Sequence, residues 1–179
     1  MKYVSIDIET TGLDPAKDQV LMVAMIVEDT ENTLPKEILP TFACFVKHPR
    51  YEGGPFALWL NSWIFEILAK NDESAYPIYS VGEWENRAEE FLKEHFPEGK
   101  KIVPAGKNVG SFDLQFFSPT LKNKFAHRNI DPGSVFIDWK KDKPLSLDDI
   151  KSNLGISGEV THNAVDDAWD VIEVLRKTY

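Results

Sequence analysis

The segment from Ile6 to Leu13 constrains the fold of this chain most, because it combines a strand pattern with two acids. Side chains two residues apart on a strand share a face, so Asp7 and Glu9 are expected on one side, roughly 7 Å apart. Carboxylates this close repel each other unless a cation lies between them, and rigid oxygen ligands suit hard divalent ions. The segment predicts half of a metal site. The alternative is an edge strand with a solvated acidic face.

A second acidic segment opens the last predicted helix, from Asn163 to Lys177. Its apolar residues recur at helical spacing and predict a buried stripe of Ala164, Ala168, Val171, Ile172 and Leu175. Thr161 is the expected N-cap. On a helical wheel Asp167 borders the stripe and Asp166 points into solvent, so only Asp167 should reach a sheet below.

His162 lies in the first turn of that helix or in the loop before it, where the wheel does not place it. It can join a site with Asp167 only from that position. The alternative is a surface histidine at a helix start, followed by the solvated acids Asp166, Asp167 and Asp170.

The third segment runs from Lys107 to Phe117, after a short predicted strand around Ile102. Gly106 and Gly110 predict a turn, and Ser111 is positioned to cap a helix that carries Asp113 in its first turn. A carboxylate there is stabilised by the helix dipole, so a simple capping acid is the alternative interpretation.

Together the three segments resemble the DEDDh group of 3′-to-5′ exonucleases, which includes polymerase proofreading subunits, oligoribonuclease and ribonuclease T. The family pattern is D-x-E in the first strand, N-x-x-F-D in the middle, and H-x-x-x-x-D in a C-terminal helix. Here the middle element departs slightly, because Lys107 stands where the family commonly has His and three residues separate Asn108 from Phe112. The matching positions are Asp7, Glu9, Asn108, Phe112, Asp113, His162 and Asp167.

The resemblance implies an α/β ribonuclease H-like fold, with a mixed five-stranded central sheet flanked by helices. It also implies a two-metal-ion mechanism with Mg²⁺ or Mn²⁺ and His162 as the general base. The expected reaction releases nucleoside monophosphates from single-stranded DNA or RNA 3′ ends, or from short oligonucleotides. The implied metal ligands, which are also catalytic, are Asp7, Glu9, Asp113 and Asp167.

Further positions are predicted to contact the substrate, and they are Thr10, Thr11, Gly12, Leu13, Asn61, Trp63, Asn108 and Phe112. The backbone of the Thr10–Gly12 turn would approach the terminal nucleotide, and Phe112 would stack on a base. Leu13 fits a core residue at the turn end slightly better than a wedge between bases. Trp59 and Trp63 fit a helix–sheet core at least as well as a substrate contact.

The coarse pattern predicts three strands, near residues 3–8, 20–27 and 41–46, followed by alternating helices and strands. Further predicted strands lie around Ile102 and at 135–139. The predicted helices span residues 55–69, 81–96, 112–125, 146–154 and 163–177. This order is typical of an α/β domain with a mixed sheet, and the whole chain, 1–179, is predicted to be one domain.

Composition limits the partners of the chain. Its net charge is −9, which argues against tight, non-specific binding to duplexes and favours a small or single-stranded substrate. The basic patches at residues 122–128 and 140–143 suit either a trailing strand or solvated surface. The single cysteine, Cys44, is expected as a small buried hydrophobe. Without a signal-peptide pattern or a membrane-length apolar run, the expected location is the cytoplasm, and a homodimer is compatible with the sequence.

Two rivals remain. One is a non-catalytic nucleic-acid-binding module of the same fold, and the other is a different metal-dependent phosphoesterase or an endonuclease. Four clustered acids disfavour the first, because a binding module does not need mutually repelling carboxylates. The histidine of H-x-x-x-x-D disfavours the second, since it belongs to the exonuclease pattern.

Overall fold

A computed structural model describes residues 1–158 and 161–179 of the chain. In this part the strands are β1 (Lys2–Thr10), β2 (Val20–Asp29), β3 (Thr41–Lys47), β4 (Ile78–Ser80) and β5 (Pro104–Ala105). They form one mixed sheet in the order β4-β3-β2-β1-β5. The pairs β1–β2 and β2–β3 are antiparallel, whereas β1–β5 and β3–β4 are parallel. The predicted α/β class and mixed five-stranded sheet are confirmed.

The described helices are α1 (Pro55–Leu60), α2 (Ser62–Lys70), α3 (Trp84–His95), α4 (Pro119–Lys122), α5 (Pro132–Val135), α6 (Leu147–Asn153) and α7 (Ala164–Leu175). Short 3₁₀ turns lie at Lys36–Ile38, Asp113–Gln115 and Arg176–Thr178. None of the helices in the described ranges combines the length and apolar character that a bilayer crossing requires.

Two apolar layers enclose the sheet. Alternation along β1 sends Tyr3 into the layer that contains α6 and α7, and sends Val4 and Ile6 into the layer that contains α3. The central strand β2 is apolar almost throughout and is buried on both faces, as expected for a strand covered on both sides. The predicted stripe of α7 is buried, and so is Cys44. Asp7 and Glu9 therefore face the side of the sheet on which α7 packs.

Three local predictions were wrong in identifiable ways, and one strand was missed. The single helix at 55–69 is divided at Asn61 into α1 and α2. The helix predicted at 112–125 is a 3₁₀ turn followed by α4, because Pro119 lacks the N–H that a helix interior needs and instead starts a new helix capped by Ser118. No strand forms at 135–139, because α5, which Asp131 caps and Pro132 begins, ends at Val135 and the residues after it are irregular. The fifth strand of the sheet is β4, a three-residue edge strand too short for a periodicity argument.

Candidate active site

Four carboxylates from three separate parts of the chain converge at one end of β1. Asp7 and Glu9 lie on the strand, Asp113 begins the 3₁₀ turn after β5, and Asp167 lies in the first turn of α7. Glu9, Asp113 and Asp167 are buried, which is rare for carboxylates without cationic partners. The structure thus brings together all four acids of the three motifs.

Asp113 is held directly over β1. Its Oδ1 accepts a hydrogen bond from the backbone N–H of Ile8 at 3.1 Å. The chain before it can come this close because Gly106 has no side chain, and a Cβ there would lie 2.6 Å from the carbonyl oxygen of Ile6. Ser111 does not cap a helix as predicted, since its hydroxyl donates to the carbonyl of Asn108.

Asp167 and Asp166 point in opposite directions, as the helical wheel predicted. Asp167 is buried, and its Oδ1 accepts from the backbone N–H of Thr161 at 3.2 Å. Asp166 lies at the surface and pairs with Lys36 at 3.1 Å. The predicted N-cap was wrong, because Asn163, not Thr161, accepts from the first turn of α7, at the N–H of Val165.

Two contacts outside the motifs position α7 on the sheet. The hydroxyl of Ser5 donates to the carbonyl of Ala168 at 2.8 Å. Asp170, for which a solvated position was the alternative interpretation, forms a buried ion pair with Lys151 of α6. This pair links α6 to α7, and breaking it would leave an uncompensated buried charge.

His162 reaches the acids from the loop before α7. It is exposed and has a positive φ of 53°, a conformation that non-glycine residues rarely adopt. Its ring nitrogen and the carboxylate oxygens of Glu9 and Asp167 all lie within 4.8 Å of one another. This distance allows His162 either to take a proton beside the acids or to bind a metal ion with them.

The electrostatics of the cluster oppose ionisation. Burial, and then the nearby charge of Asp167, raises the pKa of Glu9 to about 8. Burial raises the pKa of Asp113 to about 7, although backbone N–H donors partly oppose the rise. Burial also raises the pKa of Asp167 to about 6, and burial together with the other three acids raises the pKa of Asp7 well above its usual value. A bound cation would remove this penalty, so the donor set fits hard divalent metal ions.

A braced turn follows the acids on β1. The side-chain amide of Asn61 donates to the carbonyl of Thr10 at 3.0 Å, and the N–H of Gly54 donates to the carbonyl of Thr11 at 2.9 Å. Asn61 is buried, and its Oδ1 has no hydrogen-bond partner among the described residues. The Asn61 side chain also hydrogen-bonds Glu9, which lowers the pKa of that acid and partly opposes the effect of burial.

The acids and the turn line a cleft of about 510 Å³, within the usual range of ligand pockets. Predicted residues that line it are Asp7, Glu9, Thr10, Gly12, Leu13, Asn61, Phe112, His162 and Asp167. Asp113 supports the floor of the site from behind, through its bond to β1.

Three predicted substrate contacts do not line this cleft. Thr11 is fully buried, with its hydroxyl accepting from the N–H of Gln19. Trp63 packs edge-on against Phe45, in agreement with the core alternative. Asn108 lines a different cavity.

The core interpretation was wrong for Leu13 and for Trp59. The side chain of Leu13 is 83% exposed at the cleft, and that of Trp59 is 69% exposed in contact with Phe56. Sequence reasoning missed Phe56, which lines the cleft and is 71% exposed. The sequence feature that could have identified Phe56 is the uniformly apolar segment Pro55–Leu60, which forms α1 and has no polar face. In the structure α1 buries none of its residues.

The raised pKa values predict that the metal-free protein loses stability as pH rises. Because these acids have higher pKa values when folded than the roughly 4 of an unfolded chain, their ionisation opposes folding between about pH 4 and about pH 8. Thermal unfolding in chelator and in excess Mg²⁺ should therefore show a larger metal-induced rise in Tm near pH 8 than near pH 5. Monovalent salt of equal ionic strength is the control for screening. A rise no larger at the higher pH would contradict this electrostatic assignment.

The opposite orientations of Asp167 and Asp166 predict different mutant effects. Asp167→Asn should raise the Kd for Mg²⁺ by more than about tenfold in calorimetric titration, since it removes a charged donor from the cluster. Asp166→Asn is the matched control and should change the Kd little, because its exposed pair with Lys36 is worth only about 0 to 1 kcal/mol. Reversed effects would show that a different face of α7 meets the metal.

Residues 4–175 match the RNase_T family of exonucleases. An oligoribonuclease of Nitrosomonas europaea is 29% identical over 178 residues, which cover 96% of this chain and 90% of that protein. The oligoribonuclease of Escherichia coli strain K12 is 27% identical over 176 residues, covering 95% of this chain and 89% of that protein.

Two solved structures share the fold. Escherichia coli Exonuclease I in complex with a dT13 oligonucleotide superimposes with a TM-score of 0.68 at 20% identity, over 99% of this chain. A moderately thermophilic Exonuclease I from Methylocaldum szegediense gives a TM-score of 0.71 at 22% identity, over 98% of this chain. This chain spans 40% and 39% of the lengths of those two proteins.

Proposed function

Since the chain belongs to the RNase_T exonuclease family and is a 3′-to-5′ exonuclease, we propose that it hydrolyses single-stranded ends to nucleoside monophosphates with two divalent cations and a histidine base. The observation that carries this proposal is that Asp7, Glu9, Asp167 and His162 line one cleft, with the carboxylate of Asp113 bonded to β1 directly behind it. Cytoplasmic residence and a possible homodimer stay predictions.

The acids fit Mg²⁺ or Mn²⁺ because they are hard oxygen donors on rigid elements and resist ionisation when no cation is near. Asp7, Glu9, Asp113 and Asp167 would hold the ions. When bound, such ions polarise the scissile phosphate and neutralise charge on the leaving oxygen.

His162 would accept the proton of the attacking water at a ring nitrogen. Its exposed position at the cleft leaves room for a water molecule, and its closeness to Glu9 and Asp167 places the base beside the metal ligands. A role for His162 as a metal ligand is the competing assignment.

The terminal nucleotide would lie between the Thr10–Leu13 turn and Phe112. Asn61 holds the turn in place through its bond to the Thr10 carbonyl, and Phe112 offers a ring on which a base can stack. The exposed pair of Phe56 and Trp59 extends the apolar surface at the mouth of the cleft. The name of the bacterial relatives, oligoribonuclease, favours short RNA as the substrate, and DNA ends remain the alternative.

The polarity of cleavage tests this proposal. A 5′-labelled single strand incubated with Mg²⁺ should shorten one nucleotide at a time and stall when its 3′ end is blocked, because the braced turn closes around a terminus. A circular single strand is the matched control and should stay intact. Cleavage of the circle, or early release of the 5′ label as a mononucleotide, would support an endonuclease or a 5′-nuclease instead. The same assay on a DNA strand and on an RNA strand of equal base sequence would show which of the two is the substrate.

A further inference from the structure

A second cavity, of about 670 Å³, lies between the segment that precedes Asp113 and the chain that follows α4. It shares no lining residue with the catalytic cleft. Its volume is within the range of sites for nucleotide-sized ligands. The three sequence motifs do not account for this cavity. Asn108 is the one motif residue that lines it, although the sequence analysis predicted that Asn108 would contact the substrate.

The cavity combines an apolar floor with a polar rim. The floor includes the buried side chains of Leu114 and Phe125. The rim carries the amides of Asn108, Asn123 and Asn129. Side-chain amides both donate and accept, so they match the edges of nucleobases, and apolar side chains match their faces. This combination fits a base better than it fits an aliphatic or a purely ionic ligand.

The rim also attracts anions, although the chain as a whole is acidic. Lys122 and His127 line the cavity, and the amine of Lys122 donates at 2.6 Å to Gln115, a neutral side chain. The acid in the lining, Asp131, is paired with Lys107 at 3.4 Å. Among the described lining residues the uncompensated charge is therefore positive, which favours a phosphate group.

One short segment separates this cavity from the catalytic cleft. Asn108 and Ser111 line the cavity, whereas the next residue, Phe112, lines the cleft. The segment is a tight turn, in which Asn108 has a φ of 59° and its carbonyl accepts from the N–H groups of Ser111 and Phe112, each at 2.9 Å. A strand whose 3′ end occupies the cleft would thus have this cavity on the other side of the Phe112 segment.

We propose that this cavity binds a nucleoside phosphate, with the base against the Leu114–Phe125 floor and the phosphate at Lys122 and His127. The inference rests on the proposed exonuclease function and names a second subsite for the same substrate. The expected source is an upstream nucleotide of the bound strand, because the two sites share the Asn108–Phe112 wall. A free nucleoside monophosphate, the proposed product, has the same chemistry and is the other source.

The double variant Lys122→Ala/His127→Ala tests the cavity, and both side chains are exposed, so the fold should tolerate it. For an oligonucleotide of about five nucleotides the KM should rise about tenfold, as expected for losing contacts to a phosphate. For thymidine 5′-p-nitrophenyl phosphate, a single-nucleotide ester that needs only the cleft, the KM should not change. Lys70→Ala, an exposed lysine on α2 outside the cavity lining, is the control and should leave both values unchanged.

A binding measurement distinguishes an upstream nucleotide of the strand from a free nucleoside monophosphate as the ligand. Adenosine 5′-monophosphate is titrated by calorimetry into the unmodified protein and the double variant in chelator, where the metal-free acids of the cleft repel phosphate. If the double variant raises the KM only for the oligonucleotide, the ligand of the cavity is an upstream nucleotide of the bound strand. Chelator-resistant binding that is lost in the variant, with unchanged KM values, assigns it to the free nucleotide. An equal KM change for both substrates, or no change in either measurement, would overturn the proposal. If the unmodified protein hydrolyses neither substrate, the proposed function fails, and the calorimetry still tests the cavity.

Discussion

Asp7→Asn is expected to lower kcat by about 10³-fold or more while leaving the fold intact. Asp7 lies at the centre of the acidic cluster, where the charges of Asp113, Glu9 and Asp167 all act on it and, after burial, raise its pKa. Losing this carboxylate removes a central donor for the cations on which we propose that turnover depends. In the metal-free protein the same change removes a repulsive charge, so the Tm in chelator should stay equal or increase.

The measurements are steady-state hydrolysis with saturating Mg²⁺ and thermal unfolding in chelator. Asp142→Asn removes the same charge from an exposed loop and is the matched control, for which neither quantity should change much. A large fall in the Tm of Asp7→Asn without metal would mean that Asp7 stabilises the fold and would contradict its assignment as a ligand. Full activity of the unmodified enzyme in excess chelator would refute the metal requirement altogether.

His162→Ala is expected to lower kcat by about 10²- to 10⁴-fold while leaving the Kd for Mg²⁺ almost unchanged. A general base handles a proton and does not hold the ion, so turnover and metal titration should separate. At saturating metal the rate of the unmodified enzyme should fall at low pH, because imidazolium cannot accept a proton. That acid limb should disappear in the variant.

The backbone conformation at His162 determines which substitution is a suitable control for His162→Ala. Its φ of 53° is tolerated by asparagine and is unfavourable for alanine, so His162→Asn preserves the loop and still lacks a base. Both variants should lose activity equally if the imidazole is the base. A weakened Kd for Mg²⁺ in His162→Asn would instead support metal ligation, which the 4.8 Å cluster with Glu9 and Asp167 allows.

The orientations of three proposed metal ligands could be predicted from the sequence because they depend on short-range geometry. The period of a strand places Asp7 and Glu9 on one face, and the period of a helix separates Asp167 from Asp166. Both patterns are independent of what packs against them. The central strands and α7 could be predicted for the same reason, since long apolar segments with a clear period leave few alternatives.

The accessory features depended on contacts between distant segments. Asp113 reaches β1 in a 3₁₀ turn, not a predicted helix, because Gly106 permits close approach and the Ile8 N–H provides a partner. Leu13 and Trp59 are apolar like core residues, and only packing could show that nothing covers them.

The sequence by itself determined the class of fold and the orientations of Asp7, Glu9 and Asp167, since these are encoded in spacing and periodicity. The tertiary structure alone decided that Asp170 is buried against Lys151, that Asn61 presents an unpaired oxygen, and that Asn108 belongs to a second cavity. Hydrogen-bond partners and exposure depend on residues far apart in the chain, and a one-dimensional pattern does not contain those distances.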